Sequence, residues 1–369
     1  MAAASASLRS GGIGSASVPA LAAGLGGSVA DEESTPREDR DDDGSSILPI
    51  ALWLCCACGS ALYSKFLFET SFPFPLSLTA LHLCAATLAS SAMQGLGMLS
   101  VPRLGWGGWL CSVVPISVLY ALSLGGSNIA ASRVSLSFLQ MLKALMPGAA
   151  LLVGALSCSE VPALRHILFT CLALGGVALS AAGEQLWDAP GVGAQVASAL
   201  SEALRLAAAQ RLLQPHLPPG ASPLVSVAML APPAAALLLP AAAALEPLAA
   251  SYAMDGSSLR WAVEDAARVA ARWRTPMQLL ASCVGYLLLN AAVVLLVRRT
   301  SGSAVTLAGV AKDALLVLAS VLVFQAPVTP QQVASYALTL WTLNVLDAYK
   351  AERDAPTSAI LTTALTNRR

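Results

Sequence analysis

The stretch Ser132–Leu156, SRVSLSFLQMLKALMPGAALLVGAL, is long enough to cross a membrane, yet it carries Lys143 near its middle. A charged ammonium at the centre of a bilayer helix costs roughly 2.5–3.5 kcal/mol on insertion scales. Such a cost is retained only where the charge has work to do, so the rest of the chain has to explain this lysine.

Composition sets the class. The 369-residue chain is 56% hydrophobic and only 11% charged, with a formal net charge of +0. Soluble domains carry about a quarter charged residues. A soluble core also has no room for so many separate apolar runs. The chain therefore reads as an all-α polytopic membrane protein whose partner is the lipid bilayer, and a zero net charge gives no footprint for nucleic acid. Seven of the eight cysteines lie within apolar runs and Cys158 sits in a short loop. Cys55 and Cys58 spell C-x-x-C, but no second Cys or His pair accompanies them. They read as small apolar residues, with no metal site, no cofactor and no disulfide framework.

Residues 1–46 differ from the rest. About thirty residues of Ala, Ser and Gly precede the acidic run DEESTPREDRDDDGSS, and neither part can bury a core. This segment reads as a disordered acidic tail. Its Ser-rich, acid-poor beginning also fits a transit peptide, although Arg9 is its one basic residue.

From Ile47 onward ten apolar runs recur: 47–68, 75–96, 108–129, 134–156, 162–182, 190–213, 222–246, 275–297, 303–324 and 330–350. Each is long enough for a hydrocarbon core of roughly 30 Å. The breaks hold Pro, Gly or charge, as in FPFP, VPRLGW and APVTP. A ten-helix membrane domain is thus expected over 47–350, with 47–182 as a first repeat and 190–350 as a second, and 351–369 as a C-terminal tail. The long connection, residues 247–274, allows a surface helix or a solvated loop. Arg103, Arg165, Arg211, Arg298 and Arg299, with Lys350, Arg353, Arg368 and Arg369, fall on one side. Lys65, Arg133 and the long-loop arginines fall on the other. Basic residues in short loops favour the cytosol, which predicts both termini cytosolic.

The fourth and ninth runs, SLSFLQMLKALMP and SAVTLAGVAKDALLV, align with Lys143 on Lys312 and Ser137 opposite Thr306. They are five runs apart. An odd number of spans per half inverts the second half, so ten helices form a 5+5 inverted repeat with a midplane site between the halves. Snorkelling reaches only on the order of 6 Å, against about 15 Å from the bilayer centre to its edge. It suits Lys65 near the end of the first run but neither central lysine. An internal ion pair, with Asp313 or Glu202 as partner, is the structural alternative. The functional one is a polar cavity where the ammonium groups meet an anion from solution.

Several stretches resemble the triose-phosphate translocator and nucleotide-sugar transporter family of the drug/metabolite transporter superfamily. They are SKFLFETSFPFPLSLTALHL (64–83), SNIAASRVSLSFLQMLKALMP (127–147), LSEALRLAAAQRLLQ (200–214) and RRTSGSAVTLAGVAKDALLVLASVLVF (298–324). The resemblance implies ten helices, cytosolic ends and obligate exchange across an organelle membrane, with one lysine from each half on the substrate anion. Lys143 and Lys312 take those positions. Ser127, Asn128, Ser135, Ser137 and Gln140 are neighbouring candidates in the first half, and Tyr286, Asn290 and Thr306 in the second. Plastid members that carry triose phosphate place Arg after the ninth-helix lysine, where this chain has Asp313. A compact phosphate dianion favours extra cations. The Lys-Asp pattern therefore points to the Golgi and endomembrane branch, with a nucleotide sugar exchanged for a nucleoside monophosphate or phosphate. The acid either faces the cavity or turns to pair elsewhere. The alternatives are a plastid-envelope carrier of sugar phosphate or phosphoenolpyruvate, and a non-transporting scaffold. No enzymatic constellation appears in the spans.

Glu202 and Arg205, spaced i, i+3, are expected to pair and set helix packing or a gate. His82 reads as a packing histidine. The glycine pairs at 125–126 and 175–176 read as close helix contacts. A homodimer is compatible with all of this.

Overall fold

The computed structural model describes residues 43–157, 163–185, 187–218, 221–253, 274–300 and 302–354. The expected tail before residue 43, most of the 247–274 connection, Cys158 and the end of the chain after residue 354 lie outside the described residues. All regular structure among the described residues is helical.

The helices follow the apolar runs. They are α1 (Asp43–Thr70), α2 (Pro75–Gly95), α3 (Trp106–Arg133), α4 (Leu136–Leu156) and α5 (Leu164–Ala182). Then come α6 (Ala189–Ala208, continuing as a π-turn over Ala209–Leu213), α7 (Pro223–Ala253), α8 (Arg274–Arg299), α9 (Gly302–Phe324) and α10 (Pro330–Asp354). Among the described residues, 7 helices are long and apolar enough to cross a membrane: α1 to α5, α7 and α8. Of the other three, α6 carries Glu202 and Arg205 and α10 carries Gln331 and Gln332 within its length.

Proline places the irregular turns. A proline has no N–H for the carbonyl four residues back, and its ring crowds that carbonyl. Pro115 follows the π-turn Trp109–Val113 in α3, and Pro215 follows the π-turn Ala209–Leu213 in α6 at the same spacing. The two π-turns pack against each other. Pro147 acts likewise on α4, which breaks into Leu136–Lys143 and Met146–Leu156. Its position four back is Lys143.

The main pairings are α3 with α6, α1 with α8, α2 with α7, α5 with α10, and the first half of α4 with α9. Its second half packs on α5 and α6 instead. Between membrane helices close packing of small residues replaces the hydrophobic effect. The α2–α3–α7 core accordingly contains Ala80, Ala86, Ala121, Ala231 and Ala234. Gly126 and Gly176 sit at close approaches between helices. A Cβ on Gly126 would stand 2.9 Å from the carbonyl oxygen of Ala194, and one on Gly176 would meet the Thr339 hydroxyl. Gly125 faces Leu76 and Gly175 faces open space, so the two pairs are not equivalent.

One end of the bundle is tied together by polar groups. Lys65 is 6% exposed and donates to the carbonyls of Ala131 (3.0 Å) and Val134 (2.9 Å), where α3 ends. Lys65 therefore does not snorkel. The free carbonyls of a helix C-terminus attract a cation more strongly than a distant interface does. Arg133 pairs with Asp188 at 3.5 Å, the backbone N–H of Ser137 donates to Ser320, and Gln332 donates to Glu184. Glu246, at the far end of α7, caps α2: it accepts from the Leu76 and Ser77 backbone N–H groups (2.6 and 3.1 Å) and from the Ser77 hydroxyl. Glu246→Ala is expected to lower stability by about 1–3 kcal/mol by orphaning these donors. Thermal unfolding in detergent measures this, with Glu246→Gln falling in between.

Candidate functional site

The two central lysines come from different helices that pack against each other. Lys143 ends the first half of α4, at the break made by Pro147, and is half-buried. A cation there complements the free carbonyls of that helical end. Lys312 is buried in α9, the helix against which this segment of α4 packs. Among the described residues no acid forms an ion pair with Lys143.

Lys312 does have such a partner. Its Nζ lies 2.7 Å from Oδ1 of Asp313, which is 9% exposed. The same Oδ1 has no hydrogen-bond partner, so the approach is a charge contact off the line of an N–H bond. Adjacent helical positions do not share a face. The flexible four-carbon stem of lysine nevertheless brings its ammonium back to the neighbouring carboxylate. The structure thus selects the paired arrangement for Asp313. Cys58 of α1 lies beside this pair: its thiol stands 4.0 Å from the Lys312 carbonyl.

The other first-half candidates divide. Gln140 lies one turn before Lys143, is 1% exposed, and neither its Oε1 nor its Nε2 has a partner. An amide in that state costs on the order of 1–3 kcal/mol. Ser137 is buried and its hydroxyl is 3.2 Å from that of Ser135, which caps α4 by accepting from the Phe138 N–H. Asn128 is committed to Thr79 of α2 at 2.7 Å, and Ser127 is half-buried beside it on α3. In the second half, Asn290 donates to the Tyr286 carbonyl within its own helix at 2.8 Å. The Thr306 side chain lies outside the described residues.

Tyr286 belongs to a different cluster. Its hydroxyl is 3.3 Å from that of Tyr120, and its ring stacks on His82 at 4.9 Å. His82 Nε2 is 2.8 Å from the Ser282 hydroxyl, so this buried histidine is satisfied by packing and one hydrogen bond. The Arg205 guanidinium lies 5.4 Å from the Tyr120 ring centroid. It donates to Glu202 through Nε (2.8 Å) and Nη2 (2.5 Å), and Ser123 donates to the same carboxylate at 2.9 Å. Sequence reasoning found the Glu202–Arg205 pair from its spacing and missed Tyr120 and Ser123. Their signal is tertiary, because both lie on α3.

The chain is a bundle of membrane helices with charged side chains buried within it. The pattern of the Triose-phosphate Transporter family matches residues 46–344. The chain belongs to that family and is a multi-pass integral membrane protein. One probable sugar phosphate/phosphate translocator of Arabidopsis thaliana is 33% identical over 297 residues, covering 78% of this chain and 79% of its own. A second from the same plant is 32% identical over 299 residues with the same shares. A chloroplastic phosphoenolpyruvate/phosphate translocator of Oryza sativa is 26% identical over 147 residues, covering 40% of this chain and 36% of its own.

Proposed function

We propose that the protein is a secondary antiporter that exchanges a nucleotide sugar, or a related phosphorylated sugar, for a nucleoside monophosphate or phosphate across an endomembrane. It works by alternating access, with Lys143 and Lys312 on the phosphoryl groups and both termini in the cytosol. The observation that carries this reading is that the first half of α4, which ends at Lys143 where the helix breaks, packs against α9, which carries the buried Lys312. Half-helix ends at a midplane are where such carriers bind ions and substrates. Gln140, with its unpartnered amide, is the first polar neighbour for the bound sugar or base.

The pairing pattern supports a ten-span 5+5 inverted repeat. Renumbering each helix by five turns the α1–α8 contact into α6–α3, α1–α9 into α6–α4, and α2–α8 into α7–α3, while α2–α7, α4–α9 and α5–α10 map onto themselves. Every one of these contacts is present. In this arrangement the tied end of the bundle is the lumenal gate, and the conformation is closed there. A closing cavity that holds unpaired ammonium charge is costly. The empty carrier therefore moves slowly, and transport is coupled as exchange.

The names of the relatives favour a second reading, a plastid-envelope sugar-phosphate or phosphoenolpyruvate:phosphate antiporter. Proteoliposomes preloaded with nucleoside monophosphate or with phosphate, and offered a panel of labelled nucleotide sugars and sugar phosphates, separate the two. Uptake of nucleotide sugar into nucleotide-loaded vesicles is expected. Equal uptake into empty vesicles overturns the exchange mechanism. A tagged chain viewed by microscopy decides between endomembrane and plastid.

A further inference from the structure

Asp313 changes the charge that the site presents. Lys312 and Asp313 pair on α9, the segment of α4 that ends at Lys143 packs against that helix, and Cys58 adds a thiol but no ion. Two ammonium groups and one carboxylate leave a single net positive charge. The carboxylate is not a bystander, because it lies 2.7 Å from the Lys312 ammonium in a buried setting where charges are weakly screened. Lys143 remains the cation without an ion pair among the described residues. A compact dianion entering such a site meets one net countercharge and a carboxylate that repels it. A phosphoryl group with one negative charge meets a matched cation.

We infer that Asp313 is a selectivity residue: by neutralising Lys312 within its own helix, it makes the carrier prefer phosphoryl groups bearing one negative charge, as in phosphodiesters, over compact dianions. The inference rests on the antiport reading above and narrows its substrate class. The linkages of a nucleotide sugar carry one charge per phosphorus, so they fit this rule at every working pH, whereas a monophosphate, the counter-substrate included, fits it only in its singly charged form, below a pH of about 6.

The test uses the full chain in proteoliposomes preloaded with inorganic phosphate, and follows uptake of labelled phosphate. Two competitors hold their charge at every working pH: dimethyl phosphate with one and sulfate with two. In the wild type, dimethyl phosphate is expected to inhibit more strongly than sulfate. In Asp313→Asn the ratio of the two inhibition constants is expected to move toward sulfate by about tenfold or more, the effect of one charge at close range with partial screening. Asp313→Glu, which keeps the charge, is expected to keep the wild-type ratio. Size cannot produce this result, because neither competitor changes between variants. Stronger inhibition by sulfate in the wild type overturns the inference without reference to any variant, and so does an unchanged ratio in Asp313→Asn. Either of those results leaves the antiport reading standing. Absence of exchange with phosphate and with every phosphorylated anion overturns both.

Discussion

Lys143→Ala is expected to cut exchange of a phosphorylated anion by about 100-fold while the protein still folds. At about 5 Å and an effective dielectric near 20, one unit charge on the substrate is worth roughly 3 kcal/mol, which is about two decades in rate or affinity. The fold survives because Lys143 has no ion-paired acid among the described residues, so its removal strands no partner. Lys312→Ala behaves differently. It removes the same kind of contact and also leaves Asp313 buried without its cation, at a cost of about 3–5 kcal/mol. The double change Lys312→Ala/Asp313→Ala should recover most of that stability and none of the exchange. Labelled uptake into loaded proteoliposomes measures the first quantity, and thermal unfolding in detergent measures the second. Wild-type exchange by Lys143→Ala would remove the basis for a lysine-centred carrier.

The spans could be read because each is an apolar run between breaks of Pro, Gly or charge, and the helix ends fall within a few residues of those runs. The two lysines could be read for the same reason, since a charge in the middle of such a run has no cheap explanation. The break after Lys143 was legible too, in Pro147 four residues on, but only to a reading that asks what each proline does to the carbonyl behind it. The π-turns before Pro115 and Pro215 belong with it. Lys65 escaped in part: its i, i+4 contact with Glu69 at 3.3 Å lies in the sequence pattern, whereas the carbonyls of Ala131 and Val134 that hold it inside belong to another helix, which no side-chain pattern advertises. The Glu246 cap escaped because donor and acceptor lie 170 residues apart. Adjacency argued against a shared face for Lys312 and Asp313, and the length of the lysine stem overrode it.

The second large effect lies away from the lysines. Arg205 is 1% exposed, among the most deeply buried side chains of the protein, and Glu202 holds it through two nitrogens. Its remaining nitrogen, Nη1, has no partner. Glu202→Ala therefore leaves a guanidinium that cannot deprotonate inside a helix bundle, beside the Tyr120 ring, and it also strips the Ser123 hydroxyl of its acceptor. The expected cost is about 3–5 kcal/mol, seen as a large fall in thermal stability. Arg205→Ala should cost a comparable amount by stranding the carboxylate. The double replacement Glu202→Leu/Arg205→Met should come back near wild-type stability, because a buried ion pair contributes little net energy against an apolar pair of similar volume. The cycle then reads the role of the pair. If the stable double variant exchanges at the wild-type rate, the pair serves packing alone. If it folds but exchange falls, the cluster of Glu202, Arg205, Tyr120 and Tyr286, which links α6 through α3 to α8, takes part in the movement of one half against the other.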